Sequence, residues 1–320
     1  MTSPVYSWFY EEPFHFAFLA TTTTLSVASN CLLLYIISTT TSSSSSSSGI
    51  GPYRWLLAVF AVCDIMTSAG HAAFQPCMHM TTSGFYFFPR HGQIMIGGKS
   101  YDTIFALIFI ATYYQTFLVL AYHYVYRYKT VSSGITRSLT DSWSRTQWTS
   151  LAVVIYVLYI AGFVGTCAIA FTPADETRAL VPQEILDIYD IDLRDANRGF
   201  TVIAVRRPDP TSGTMECHAP SVVGLLLLLG MFGGTATVIR QPPDCEDKKD
   251  ADGFIQGAAH SALYSSPTQC LSTTSSPGIS LGAFGNVLFS TTSIFPSIDA
   301  FFVLFFIPRF RIAVIRLFHL

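Results

Sequence analysis

The residues best placed to do chemistry in this chain are two carboxylates set inside apolar runs, Asp64 and Asp299. A carboxylate at such depth needs a partner or a water cavity, so each is a functional candidate. Both are acidic, so they can pair only through a cation or a water; otherwise each faces its own polar contacts. Asn30 is the one strongly polar residue of its apolar run, and it is expected to face the interior and bond another helix. His71 and Gln75 come late in the run that holds Asp64, where a ligand contact and interfacial solvation are equally open. Thr112 and Gln115 are the central polar residues of a third run, where they line a cavity or bond neighbouring helices. The eight histidines are dispersed and read as interfacial or loop residues, and the seven cysteines match no zinc or redox spacing. No Ser/His/Asp arrangement, Gly-rich phosphate loop or set of ligands at metal spacing stands out. The expectation is no enzyme, no cofactor and no metal.

The elements that must position these residues are long apolar blocks. Half of the residues are hydrophobic and only 12% are charged, with the charges between the blocks. That is not the composition of an ordinary soluble domain. The net charge of -2 gives no global field for nucleic acid. A bilayer span needs roughly 20 mostly apolar residues. Spans are expected at 14–37, 55–76, 104–126, 147–171, 221–239, 253–271 and 281–307 of a single 320-residue membrane domain. The sixth is weak, because Gln256, His260, Ser265, Ser266, Pro267 and Gln269 dilute it. Pro296 predicts a kink in the seventh. The Ser/Thr run at 38–48 reads as a flexible loop, and 77–102 as a loop rich in aromatics and glycine. Residues 172–219 are acidic and read as an extracellular cap, with 184–189 as a short amphipathic helix. Met1 to Pro13 has no Lys or Arg, so a cleaved signal peptide is not expected.

Charge sets the topology. With the N-terminus outside, the short loops and the tail put Arg54, Arg127, Lys129, Arg137, Arg145, Arg240, Lys248, Lys249, Arg309, Arg311 and Arg316 in the cytoplasm. Dropping the weak sixth span moves the last three outside, which the same rule disfavours. The third span closes on Tyr122-His123-Tyr124-Val125-Tyr126-Arg127-Tyr128, aromatics followed by cations. That order suits a helix reaching the cytoplasm, and by itself it makes Arg127 a positive-inside anchor.

Several motifs then share one likeness. Asn30-Cys31-Leu32-Leu33-Leu34-Tyr35-Ile36-Ile37, Gly51-Pro52-Tyr53-Arg54-Trp55-Leu56-Leu57 with Gln75-Pro76, and the stretch at 122–128 resemble the first three helices of nematode serpentine chemoreceptors of the Str class. Thr172-Pro173-Ala174-Asp175-Glu176-Thr177-Arg178, with Glu184 and Tyr189, resembles that family's second extracellular loop, and Phe295-Pro296-Ser297-Ile298-Asp299 with Arg309-Phe310-Arg311 its seventh-helix ending. Residues 244–280 depart from the family's helix-six pattern. The resemblance implies an all-α seven-transmembrane bundle, N-terminus outside and C-terminus inside, with a degenerate sixth helix. It implies a G protein-coupled chemosensory receptor of the plasma membrane, in a sensory neuron cilium. Its partners would be the lipid bilayer, a small odorant-like ligand and a heterotrimeric G protein, with no nucleic acid. Tyr126, Arg127 and Tyr128 would then form the coupling end, and His71, Gln75, Thr112 and Gln115 the ligand cavity. A disulfide to the top of helix three is usual in many such receptors; here Cys77 with Cys217 is the extracellular pair available. A membrane transporter, a non-signalling receptor relic and a misassembled gene product are the competing readings. No internal repeat supports the transporter.

Overall fold

The computed structural model describes residues 12–42, 53–81, 84–90, 95–96, 99–131, 144–208, 214–240, 282 and 285–317. The expected sixth span, 253–271, and the tail of the Ser/Thr run lie outside these residues. The long helices are α1 (Glu12–Ser42), α2 (Tyr53–Phe74), α3 (Asp102–Val131), α4 (Arg145–Ala170) and α7 (Ala219–Arg240). A sixth apolar rod is made of two pieces, α8 (Gly285–Thr292) and α9 (Phe295–Phe306). Six helices among the described residues are long and apolar enough to cross a membrane. Their outer faces are apolar: Leu158, Ile169, Leu226 and Phe301 are all exposed. Contiguous exposed apolar surface on every side of a bundle is the surface of a protein solvated by lipid.

Local chemistry explains where these rods begin and end. The α1 helix runs into the Ser/Thr stretch that was expected to be a loop. The Ser38 and Thr39 hydroxyls donate to the Tyr35 carbonyl at 2.7 and 3.0 Å, which lets hydroxyl residues extend the helix. The α2 helix stops at Phe74, two residues before its expected end, because Gln75 is left-handed (φ 46) and Pro76 cannot continue the helix. Ser144 caps α4 in a capping box with Gln147. At Pro296 the expected kink takes the form of an interruption: Ser293 and Ile294 turn, and Pro296 sits in the first turn of α9.

The α1 helix packs on α2 and α9, and α3 touches α2, α4 and α7. At one end lies a cap. Strands β1 (Pro76–Thr81), β2 (Gly84–Pro89) and β5 (Thr201–Ala204) form an antiparallel sheet with β2 in the middle. The pairs β3 (Met95–Ile96) with β4 (Lys99–Ser100), and β6 (Arg206–Pro208) with β7 (Met215–Cys217), are separate ribbons. Between them come the short helices α5 (Asp175–Ala179) and α6 (Gln183–Tyr189). The three-stranded sheet is a partition between two cores. Tyr86, Phe88, Val202 and Ala204 join Cys77, Ile185, Leu193 and Phe200 in the cap core. Phe87 packs instead with Phe74, Ala106 and Phe109 of the bundle, and Ile203 with Phe163 and Cys167. Alternate residues therefore enter opposite cores. A seven-residue helix such as α6 is not stable alone. Full burial of Ile185 contributes about 2 kcal/mol toward holding it.

At the opposite end α10 (Pro308–Leu317) folds back on α1 and α9. Phe310 is buried with Leu33, Ile36 and Leu304, whereas Ile312, Ile315, Arg311 and Arg316 are exposed. One buried edge with an exposed mixture of apolar and basic side chains suits the plane of a membrane interface. In the sequence, Pro308-Arg309-Phe310-Arg311 marks only a charged boundary there.

Candidate ligand and coupling sites

The polar residues singled out from the sequence fall into three levels of the bundle. At the end away from the cap, residues 122–128 lie in the last turns of α3. Tyr122 donates to the Ala152 carbonyl of α4 at 2.6 Å. His123 is hydrogen-bonded through Nδ1 to the Tyr53 hydroxyl at 3.2 Å, and its ring stands edge-on to Tyr53 and Phe60. The Tyr53 ring stacks on Tyr126, with centroids 5.5 Å apart. The first turn of α2 is thus clamped to the last turns of α3. Arg127 and Tyr128 continue this helix, and their side chains lie outside the described residues. Tyr53 and His123 do not stand out in the sequence as partners of this end, one lying in a motif and the other reading as an interfacial histidine.

At mid-depth α1, α2 and α9 share a polar cluster. Asn30 is fully buried and donates through Nδ2 to the Pro296 carbonyl at 2.9 Å and the Ser26 carbonyl at 3.0 Å. Those bonds satisfy a carbonyl beside the interruption at 293–294. Ser68 donates to the Ser26 hydroxyl at 2.6 Å. Asp64 is fully buried, and neither of its carboxylate oxygens has a hydrogen-bond partner. Asp299 lies within its electrostatic reach.

Toward the cap, the four cavity candidates separate. His71 is buried with both ring nitrogens unpartnered, edge-on to Phe109 at 4.9 Å. The buried side-chain oxygen of Gln75, at the end of the same helix, also lacks a partner. Thr112 is committed to helix contact: its hydroxyl donates to Phe109 O at 2.9 Å, and its carbonyl accepts from Thr67 at 2.8 Å. Gln115 faces α4 and accepts from the Tyr156 hydroxyl at 2.7 Å. His71, Gln75 and Gln115, the last through Nε2, each keep a buried polar atom with no hydrogen-bond partner, whereas Thr112 only joins helices.

The cap closes over this level and is tied to the α8 end of the bundle. Asn286 accepts from Met78 N at 2.7 Å and donates to the Tyr189 hydroxyl at 2.8 Å. Met80 and Gly282 exchange two backbone hydrogen bonds at 2.9 Å. His79 is fully buried, 3.8 Å from the Glu184 carboxylate. Burial holds its imidazole below the ordinary value, and Glu184 partly opposes this. Cys77 and Cys217 are both free, so the expected disulfide is not formed. The Cys77 thiol is buried in the cap core, where burial pushes it up to about 12 against the opposing charge of Arg90, and Cys217 is exposed on a separate ribbon. Among the described residues no group of three or more His, Cys, Asp or Glu side chains could hold a metal ion.

Apolar outer faces, inward polar side chains and a cap built from loops define a multi-pass membrane protein of the serpentine receptor class. Residues 16–240 match the family described as serpentine type 7TM GPCR chemoreceptor Str, and the chain belongs to that family. The chain is 21% identical over 288 residues to the G-protein coupled receptor str-33 of Caenorhabditis elegans, with 84% of this chain and 81% of that protein covered. The family match stops at Arg240, just before the 244–280 stretch that departs from the helix-six pattern. The family is one of receptors, not an enzyme class.

Proposed function

We propose that the chain is a chemosensory receptor with its N-terminus and cap outside the cell, binding a small odorant-like molecule and activating a heterotrimeric G protein in the cytoplasm. Family membership supports the class. The observation that carries the site assignment is the separation of two ends. Unpartnered His71 and Gln75 lie under the cap, and the Tyr53–His123–Tyr126 clamp lies at the basic end. His71 and Gln75 contact the ligand, while Thr112 and Gln115 fix the helices that carry them. Tyr126, Arg127 and Tyr128 form the coupling end. Physically, the ligand acts by binding one arrangement of the helices more tightly than the other. The plasma membrane of a sensory cell is the site of action. In cells expressing the chain, a small volatile stimulus is expected to lower cAMP or raise calcium. Accumulation of the stimulus in vesicles without any second-messenger change would make it a transporter.

The 244–280 stretch favours a second reading, a receptor that binds ligand but no longer signals. Sequencing the transcript across that stretch decides between them. A normal apolar exon there removes the second reading.

A further inference from the structure

His71 and Gln75 stand one turn apart at the cap end of α2, and the Gln75 N–H still donates to the His71 carbonyl at 2.9 Å. His71 is 1% exposed, and neither ring nitrogen has a hydrogen-bond partner. The Gln75 side-chain oxygen is also buried without a partner. Phe109 and Tyr113 of α3 stand edge-on to the imidazole at 4.9 and 6.2 Å, and Phe74 and Phe87 extend this aromatic wall through Phe109. Buried polar atoms ordinarily have partners, so three unmet atoms within one turn, against an aromatic wall, mark where a ligand completes the bonding. Gln115, whose Nε2 is also unpartnered, faces α4 and stands apart from this group.

The charges nearby restrict what that ligand is. No carboxylate of the described residues forms an ion pair with His71. Asp64 is two turns before it, and Asp102, two turns before Phe109, accepts from Gly199 N. An ammonium group would therefore be buried without a counter-charge. The α1, α8 and α9 helices contain no Lys or Arg, and those of α2 and α3 lie at the opposite end of the bundle. Arg90 donates its backbone N–H to the Gln75 carbonyl at 3.0 Å, but its guanidinium is hydrogen-bonded to the Cys77 thiol of the cap core. The charged group facing His71 is another buried imidazole, His15 of α1, within electrostatic reach. An anion would lack a fixed cation, so the group suits a neutral molecule.

Counting donors and acceptors separates two kinds of neutral molecule. A neutral imidazole offers one N–H and one bare nitrogen, and the Gln75 oxygen adds a second acceptor. A ketone, aldehyde, ester or ether can only accept, so it meets the N–H and leaves both acceptors unmet. A hydroxyl meets the N–H and one acceptor together. One buried acceptor left unmet costs about tenfold to a hundredfold in affinity. We propose that the ligand is a small neutral alcohol, its hydroxyl accepting from the His71 N–H and donating to the Gln75 side-chain oxygen, a reading that rests on the assignment of these two residues as ligand contacts.

The test is binding to the full-length chain in lipid nanodiscs, read as a saturable rise in Tm over that of protein in the same lipid without additive. Matched sets are used: benzyl alcohol, benzaldehyde and benzyl methyl ether; 2-heptanol, 2-heptanone and 2-methoxyheptane. Each alcohol is expected to reach its midpoint at a concentration about tenfold to a hundredfold below its carbonyl and ether counterparts. His71→Phe, which keeps the ring packing, and Gln75→Leu should erase the preference, and Tyr156→Phe should leave it intact. Where a variant does not fold, the alcohol and its methyl ether on the wild type give the same decision, because the ether keeps the skeleton and the acceptor and loses only the donor. Carbonyl or ether binding as tight as the alcohol's, or a preference that survives His71→Phe, would overturn the inference. A second-messenger response to the carbonyl compounds and not to the alcohols would overturn it too, while leaving the receptor reading standing. Saturable binding by none of the six compounds, with no second-messenger response to any of them, would count against both.

Discussion

In the cap, Arg178 donates to the carbonyls of Leu193, Asp195 and Arg198, the last at 2.7 Å, while its guanidinium lies over the Phe200 ring. Asp102, fully buried at the head of α3, accepts from Gly199 N at 3.2 Å. In the middle of the bundle, Asp64 is just as buried and has no donor at either oxygen. Both regions hide charge from water. The cap does so with backbone groups that loops can bring to any side chain. Helices use their backbone N–H groups internally and have none to offer a carboxylate. A carboxylate placed in a helical layer must therefore find side chains, an ion or a proton, and Asp64 has no side-chain donor.

Substitutions in the two regions should differ in sign as well as size. The largest loss is expected from Gly84→Ala in the cap. A Cβ there would lie 1.9 Å from the Ile203 carbonyl at a φ of +155, so β2 and β5 must separate, at about 3 kcal/mol. Surface expression should fall sharply. Next is Asn286→Ala, which strands the buried Met78 N–H and costs about 2 kcal/mol, read as a lower Tm. Asp64→Asn should do the opposite. It removes an uncompensated buried carboxyl and raises stability by about 1 kcal/mol. A loss of stability there would break the contrast between the regions. Tyr156→Phe deletes one bond to Gln115 and should cost about 1 kcal/mol with no change in ligand affinity.

The smallest effect is the pH response of the cap. The His79 imidazole is held below its ordinary 6.5 when folded, so the unfolded chain takes up the proton first as pH falls. Stability is complete above pH 6.5 and declines below it. His79→Gln should flatten that slope in a Tm-against-pH series, with Glu184 left in place.

The same contrast explains what could be read from the sequence. The long helices were legible because unbroken apolar blocks signal spans directly, and Asp64, Asp299 and Asn30 stood out as polar exceptions within them. The sheet was hidden for the reverse reason. Gly84-Phe85-Tyr86-Phe87-Phe88-Pro89 is apolar on both faces, because one face meets the cap core and the other the bundle, so no alternation marks the strand. The short helix at 184–189 was expected, but the partner of its Tyr189, Asn286, is 97 residues away and nothing local points to it. The Cys77–Cys217 pair rested on the disulfide usual in such receptors and on both being extracellular; burial of one and exposure of the other became visible only in three dimensions. Pro296 signalled a distortion correctly, though its form depended on Ser293 and Ile294 turning in front of it.

Transfer of a signal from the cap to the Tyr53–His123–Tyr126 end is tested most directly by nucleotide exchange on a purified heterotrimeric G protein. The full-length chain in nanodiscs is assayed with and without a small-molecule stimulus shown to bind it. Ligand should accelerate exchange, and Arg127→Ala should abolish the acceleration while leaving ligand affinity unchanged. Ligand binding with no change in exchange rate, or full acceleration by Arg127→Ala, would contradict it.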